Sequence, residues 1–214
     1  NVKIVATHCG LSVGPDGATH QALEDISVMR SLPNMTVVVP CDAYEAYAAT
    51  MALAEMKGPA YMRMGRSEFP VIMSQDCKFQ IGKATVMREG DDVSIIACGQ
   101  MVGAALEAAE TLASEGISAE VVNMSTIKPL DEEAVKATAS KTGAVVTVEE
   151  HSIIGGLGSA VAEFLSENLP TPLVRVGTRD TFGESGDADE LLKKYGLTAS
   201  DLVAAAKNAI NKKR

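Results

Sequence analysis

Val2-Lys3-Ile4-Val5-Ala6 is an apolar, strand-like run that opens into Thr7-His8-Cys9-Gly10-Leu11-Ser12-Val13-Gly14-Pro15-Asp16-Gly17-Ala18-Thr19-His20-Gln21. The long segment is a loop by its glycines, and the helical pattern that follows is expected over residues 19–30. Strand, loop, helix is the repeating unit of a parallel sheet with helices on its faces. The same alternation continues outward. Strands are expected at 36–39 and 60–64, with an alanine-rich helix at 43–56 between them, stopped by Lys57-Gly58-Pro59. The pattern breaks up from Ser67 to Gly82. It resumes with strands at 83–88, 93–97, 119–122, 144–149 and 173–177, and helices at 101–114, 131–141, 159–165, 188–195 and 199–211. The fold class expected is α/β: two three-layer αβα units with mostly parallel sheets, the first one incomplete. The domains expected are 1–70, a linker at 71–80, and 81–214.

On such sheets, ligands bind at loops that follow the carboxyl ends of strands. The loop at 7–21 is one of these, and it is the densest in polar groups. It carries two of the three histidines, one acid and three glycines. Glycine there permits positive φ and close approach of a ligand to the backbone. His20, placed near the start of the expected helix, would be kept neutral by the helix dipole, able to donate one hydrogen bond and accept another. Asp16 could orient a hydroxyl. That pair suits a polyhydroxylated ligand better than a metal, because no third ligand stands near. A bland reading stands beside it, in which Asp16 makes a turn and His20 caps a helix.

Composition narrows the classes. The 214 residues are 46% hydrophobic and 22% charged, as for a folded globular chain. A formal charge of −9 opposes nonspecific binding to nucleic acid or anionic lipid. Four Tyr, four Phe and no Trp argue against a stacking platform for single strands. Cys9, Cys41, Cys77 and Cys98 are widely spaced, so no zinc site or disulfide framework is indicated and a cytoplasmic protein with reduced thiols is expected. No apolar run approaches the roughly 18 residues of a membrane span, and no secretory leader is evident. The chain opens at Asn1, already entering a strand, as a fragment would. Asn211-Lys212-Lys213-Arg214 is expected to be a solvated tail.

Gly14-Pro15-Asp16-Gly17-Ala18-Thr19-His20-Gln21, with Leu23-Glu24-Asp25-Ile26 and Leu32-Pro33-Asn34-Met35, closely resembles the pyrimidine-binding domain of transketolases. The resemblance runs on through Pro40-Cys41-Asp42-Ala43-Tyr44-Glu45 and Gly58-Pro59-Ala60-Tyr61-Met62-Arg63-Met64-Gly65-Arg66. In the second half it covers Cys98-Gly99-Gln100-Met101-Val102, Ile127-Lys128-Pro129-Leu130-Asp131 and Val148-Glu149-Glu150-His151-Ser152-Ile153-Ile154-Gly155-Gly156-Leu157-Gly158. It spans nearly the whole chain, in order, and is most like a separately encoded C-terminal transketolase subunit.

The resemblance implies a thiamine-diphosphate-dependent enzyme that moves a two-carbon ketol unit from a ketose phosphate to an aldose phosphate, as in the pentose phosphate pathway. It assigns sugar-phosphate contact to His8, a donor-sugar hydroxyl to Asp16, a catalytic place beside the reacting carbon to His20, and the phosphate to Arg66. A cation and an imidazole for a dianion, with an acid and an imidazole for hydroxyls, form a coherent set. Arg63 is better explained by a salt bridge beside the sheet. Pro15 stands where many transketolases have an acidic residue. The family's cofactor-activating glutamate and aromatic stack lie upstream of Asn1, and its Mg²⁺ and diphosphate belong to another domain or subunit. The resemblance thus implies an N-terminal partner, a homodimer, no cofactor held by this section alone, and no activity alone.

Gly155-Gly156-Leu157-Gly158 could open a dinucleotide site, but Val161 occupies the third glycine position and no suitable acid follows. Close helix–strand packing is expected instead, with His151 structural or at an interface. Three other functions compete. A 1-deoxyxylulose-5-phosphate synthase shares the Asp-Gly-x-Thr-His-Gln run, although Arg63-Met64-Gly65-Arg66-Ser67 departs from its usual segment. The beta subunit of a 2-oxoacid dehydrogenase is further away. A noncatalytic assembly module would use chiefly residues 78–214.

Overall fold

The computed structural model describes residues 1–213. Arg214, the last of the expected tail, lies outside them. The first sheet takes β1 (Lys3–Ala6), β2 (Thr36–Val38) and β3 (Ala60–Arg63), and its fourth strand, β7 (Thr126–Lys128), comes from the second half of the chain. The order is β1-β3-β2-β7, with β1 and β2 parallel to β3 and β7 antiparallel to β2. The second sheet contains β4 (Thr85–Arg88), β5 (Val93–Ala97), β6 (Ala119–Asn123), β8 (Val145–Ser152) and β9 (Leu173–Thr178), in the order β4-β6-β5-β8-β9. Only its edge strand β4 is antiparallel.

Helices form where apolar faces need covering. α2 (Ala43–Glu55) lays Ala49 and Leu53 on Val38, Ala60 and Met62 of the first sheet. The other face of that sheet, with Val37, Val39 and Tyr61, meets Ile26 of α1 (Asp25–Ser31). Its core continues without a break into Ile96, Val122 and Val145 of the second sheet and onto α4 (Glu132–Thr142) and α5 (Leu157–Asn168). The opposite face of the second sheet, with Ile95, Val121 and Val146, is covered by α3 (Met101–Ser114) and α7 (Ala199–Asn211). A short α6 (Ala188–Lys194) seats Leu191 in that same core. The second sheet therefore has helices on both faces, and one core serves both halves.

Between Met64 and Ala84 there is no regular element. The stretch is nonetheless tied down: Asp42, the N-cap of α2, gives one carboxylate oxygen to Glu45 N and the other to the backbone N–H groups of Ile72 and Met73 at 2.7 and 2.6 Å. The carboxylate of Glu45 is buried and accepts Cys41 N at 2.7 Å, Asn123 Nδ2 at 2.9 Å and the Ser125 hydroxyl, joining the two halves.

Three local expectations are corrected. The helix expected from residue 19 starts only at Asp25; the chain before it is held as a turn, with His20 and Gln21 N–H both donating to Gly17 O. The loop at 10–17 contains 3-10 structure over Leu11–Asp16, kinked at Gly14 (φ 74°, ψ −116°). β8 continues past Glu149 and includes Glu150 and His151, all buried. The expected solvated tail is exposed at residues 211–213, with Lys212 at the C-cap of α7 and the Lys213 ammonium donating to Asp92 O.

Candidate functional site

The carboxyl ends of β1 and β3 lie side by side, with Ala6 paired to Arg63. The segments leaving them form one rim and carry the candidate residues, of which Asp16 and Arg66 meet. His8 leaves β1 at φ 62°, a left-handed conformation uncommon for a non-glycine residue, and its Nδ1 is 2.8 Å from Thr7 Oγ1. The 3-10 turn follows and ends at Asp16. Arg66, three residues past the end of β3, places Nη1 3.0 Å from Val13 O and 3.1 Å from Asp16 Oδ1. Both side chains of this ion pair keep about two fifths of their surface exposed (43% and 38%), so both can still reach a ligand.

His20 lies in the turn after Gly17, exposed, with Nδ1 2.9 Å from Thr19 Oγ1. It precedes α1 rather than opening it, so the dipole argument for a neutral ring does not apply to it. Among the described residues, neither exposed histidine hydrogen-bonds to Asp16 or Arg66. The structure thus joins Asp16 to Arg66 directly and leaves His8 and His20 open on the same pair of strand-end segments.

Behind the rim lies a buried polar layer that sequence reasoning largely missed. Arg63 is enclosed and donates to Asp25 Oδ2 at 2.8 Å, Ala22 O at 3.1 Å and Glu150 O at 2.9 Å. Tyr61 donates its hydroxyl to the same Asp25 oxygen at 2.6 Å. Burial alone would raise the Asp25 carboxyl, but Arg63 and the Tyr61 hydroxyl outweigh it and hold the group below its usual range. Burial pushes the Cys9 thiol up to about 11, with Arg63 pulling the other way, so Cys9 is a packed thiol rather than a nucleophile.

The glycine turn of the second half is filled by the chain itself. Leu157 and Gly158 N–H, at the start of α5, donate to the Glu149 carboxylate at 2.6 and 2.8 Å. A Cβ on Gly156 would sit 1.9 Å from Glu149 Oε2, and one on Gly158 would sit 2.7 Å from Thr147 Oγ1. A protein carboxylate occupies the place where a dinucleotide phosphate would rest, which leaves close packing as the reason for these glycines.

His151 is enclosed beside this carboxylate. Its Nδ1 lies 2.7 Å from Ser152 O and its Nε2 accepts Ser27 N–H at 3.4 Å. Although Glu149 and Asp25 oxygens lie 3.7 and 3.9 Å from the ring nitrogens, those nitrogens are already used as one donor and one acceptor, which is the pattern of a neutral ring. Burial, reinforced by Arg63, pushes His151 down to about 4 from 6.5. The unfolded chain then binds a proton that the folded chain refuses, so this contribution to stability is intact above pH 6.5 and is lost as pH falls toward 4. Glu149, pushed up by burial from 4.5 to about 7, has the opposite sign: its contribution is intact below pH 4.5 and fades as pH rises toward 7. The ring resonances of His151 are therefore expected to stay those of a neutral imidazole between about pH 8 and about pH 5.5 in an NMR titration. A midpoint above about 6 would contradict the buried neutral ring.

Among the described residues no three His, Cys, Asp or Glu side chains converge as a metal site. The groups at the rim are two imidazoles, one carboxylate and one guanidinium. That set fits an anionic, hydroxyl-rich ligand and does not fit a magnesium diphosphate, whose cation needs several oxygen ligands. No helix among the described residues is long and apolar enough to cross a membrane.

The family model described as the pyrimidine binding domain of transketolase matches residues 1–71, and that described as the transketolase C-terminal domain matches residues 82–202. The 6-deoxy-6-sulfo-D-fructose transketolase subunit SqwH of Clostridium sp. (strain MSTE9) is 51% identical over 213 residues, 100% of this chain and 66% of the relative. A putative transketolase C-terminal section of Methanocaldococcus jannaschii is 51% identical over 205 residues, 94% of this chain and 64% of the relative. The chain therefore spans just under two thirds of the length of these relatives. A solved structure of a split-gene transketolase, described as an inactive beta4 tetramer, superposes with a TM-score of 0.95 at 55% identity, covering 100% of this chain and 68% of that one.

Proposed function

The chain belongs to the transketolase family, and on that premise we propose that it is the sugar-binding and self-associating part of a split, thiamine-diphosphate-dependent transketolase. In this reading the complete enzyme passes a two-carbon ketol unit from a ketose phosphate to an aldose phosphate. The cofactor, carried with Mg²⁺ by an N-terminal subunit, supplies the carbon nucleophile and electron sink. This chain's own residues do the rest of the recognition. Arg66 and His8 take the terminal anion, Asp16 accepts from a donor hydroxyl, and His20 meets the oxygen at the reacting carbon.

The observation that carries the reading is the Asp16–Arg66 pair, 3.1 Å apart and only half covered at the ends of two parallel strands. An exposed pair of this kind contributes little to stability, ~0–1 kcal/mol. It does present an acceptor and a bidentate anion donor side by side, which a phosphorylated polyol can use together. The Clostridium relative is named for a sugar bearing a sulfonate, and a guanidinium takes either tetrahedral oxyanion. Phosphate is the anion proposed here. A cytoplasmic address belongs to the reading and is supported by the cysteines, all four of them free thiols.

The test is reconstitution. The chain alone is expected to show no ketol transfer, and the chain mixed with an N-terminal transketolase subunit, thiamine diphosphate and Mg²⁺ is expected to consume xylulose 5-phosphate. Competition by pyruvate would instead favour the deoxyxylulose-phosphate synthase reading. Transfer in neither mixture, with dimers by sedimentation, would leave a noncatalytic assembly module.

A further inference from the structure

The loop that carries Asp16 is held from behind by a carboxylate of the other sheet. Glu150 stands on β8, yet its Oε1 accepts the backbone N–H of Ser12 at 2.5 Å. Its Oε2 accepts the side-chain amide of Gln100, so the carboxylate cannot swing away. Gly10 presses its backbone directly onto this acid: it has φ 78°, and a Cβ there would lie 2.5 Å from the Glu150 carboxyl carbon. Burial raises the Glu150 carboxyl, against the pull of Arg63 and Ser12 N–H. Three further side chains hold the same segment. Arg66 braces Val13 O and Asp16, the Ser67 hydroxyl donates to Ser12 O at 3.3 Å, and Gln21 Nε2 reaches Leu11 O, Gly14 O and Glu184 O at 3.2, 3.3 and 3.0 Å. These act on carbonyls or on the far end; Glu150 takes the N–H near the beginning.

We propose that Glu150 is a positioning residue for donor-sugar recognition: clamped by Gln100, it seats Ser12 and so sets where Asp16 meets the sugar. Ser12 and Asp16 lie four residues apart on either side of a kink at Gly14 (φ 74°, ψ −116°), and Arg66 Nη1 spans that kink from Val13 O, next to Ser12, to Asp16 Oδ1, so a displacement of Ser12 is passed on to Asp16. The second half of the chain then shapes the binding rim besides supplying an interface. The proposal rests on the donor-sugar reading above.

Glu150→Gln tests it with almost no change in volume. Its oxygen can still face Ser12, but as a neutral and weaker acceptor, and its amide faces Gln100 as a donor, so Gln100 must turn its own amide over to keep the contact. The double variant Glu150→Gln with Gln100→Glu gives that amide an acceptor without such a turn. In the chain reconstituted with its N-terminal subunit, Glu150→Gln is expected to raise KM for xylulose 5-phosphate about 10–100-fold with kcat changed less than about threefold. The double variant is expected to recover most of that loss. In the chain alone, amide exchange at residues 11–17 is expected to quicken at least about tenfold in the single variant while β5 stays protected. An unchanged donor KM in an active pair overturns the proposal, as does unchanged exchange at 11–17 or an equal loss of protection throughout. An unaltered pair that shows no ketol transfer overturns the donor-sugar reading itself, a result distinguishable from those three.

Discussion

Arg63→Met is expected to lower the thermal midpoint of the chain by roughly 6–20 °C, from a loss of about 3–5 kcal/mol at about 2–4 °C per kcal/mol for a domain of this size. The guanidinium and its carboxylate partner are 4% and 11% exposed, so solvent cannot replace either one. Methionine fills the stem of the arginine but none of its hydrogen bonds. Asp25 would keep only the Tyr61 hydroxyl on Oδ2, and its Oδ1 already lacks a partner. The Glu150 carbonyl would lose the Arg63 donor as well, and Ala22 O would keep only the Gly10 N–H. These carbonyls belong to different halves of the chain, so the loss is felt across the shared core rather than in one loop. The double variant Arg63→Met with Asp25→Asn removes the stranded charge and is expected to regain at least half of the lost midpoint. Differential scanning calorimetry of the three chains checks both numbers. A fall of less than about 3 °C for the single variant would mean that water reaches Asp25 and that the pair is not a buried one.

The same arginine shows what was legible in the sequence and what was not. Its position at the end of an apolar strand marked it as a salt bridge beside the sheet, but its partner at residue 25 could not be read, because the expected helix ran straight through that position. α3 and α7 follow their sequence patterns residue for residue. Both are amphipathic over more than three turns, and α7 opens with a Thr198/Asp201 capping box, a signal written entirely in local residues. The elements that departed depend on distant partners. Residues 19–24 have helical propensity, yet Gln21 spends its side-chain amide on Leu11, Gly14 and Glu184, and that contact holds the segment in a turn. Glu149-Glu150-His151 reads as the polar end of a strand. It continues as a buried strand because the N-terminus of α5, the Ser12 N–H and Ser27 N–H each supply the donor that burial demands. β7 has only three residues and a partner strand nearly ninety positions earlier, so no periodicity could announce it. The rim residues were visible because strand-end loops are where such sheets bind ligands. The acid behind the rim was invisible because nothing local distinguishes Glu150 from Glu149.

His20→Ala separates the chemical role proposed for the rim from simple sugar capture. The side chain is exposed and its one hydrogen bond is to the neighbouring Thr19 hydroxyl, so truncation should change stability by less than about 0.5 kcal/mol. In the reconstituted enzyme its removal is expected to lower kcat about 10²–10⁴-fold with little change in donor KM, the cost of losing a proton donor or acceptor needed chiefly in the transition state. Arg66→Ala should show the reverse pattern, a donor KM raised at least about tenfold with a smaller change in kcat, because an anion clamp acts on substrate and transition state alike. Its effect includes the brace on Asp16 and Val13, so Arg66→Lys, which keeps the charge without the fork, should recover only part of it. Steady-state kinetics on the three variants, each with unchanged unfolding midpoints as a control, yields the two constants independently. A His20→Ala enzyme that keeps more than about a third of native kcat would move His20 from the reacting carbon to the periphery. The exposed position of His20 bears directly on this expectation. An imidazole that is to act at a reacting carbon must be shielded from water when it does so, and among the described residues it is left exposed. Its cover has to come from the surface that meets the rim, so the kcat loss should appear only in the assembled enzyme, while binding of a sugar phosphate to the isolated chain should be unaffected by His20→Ala.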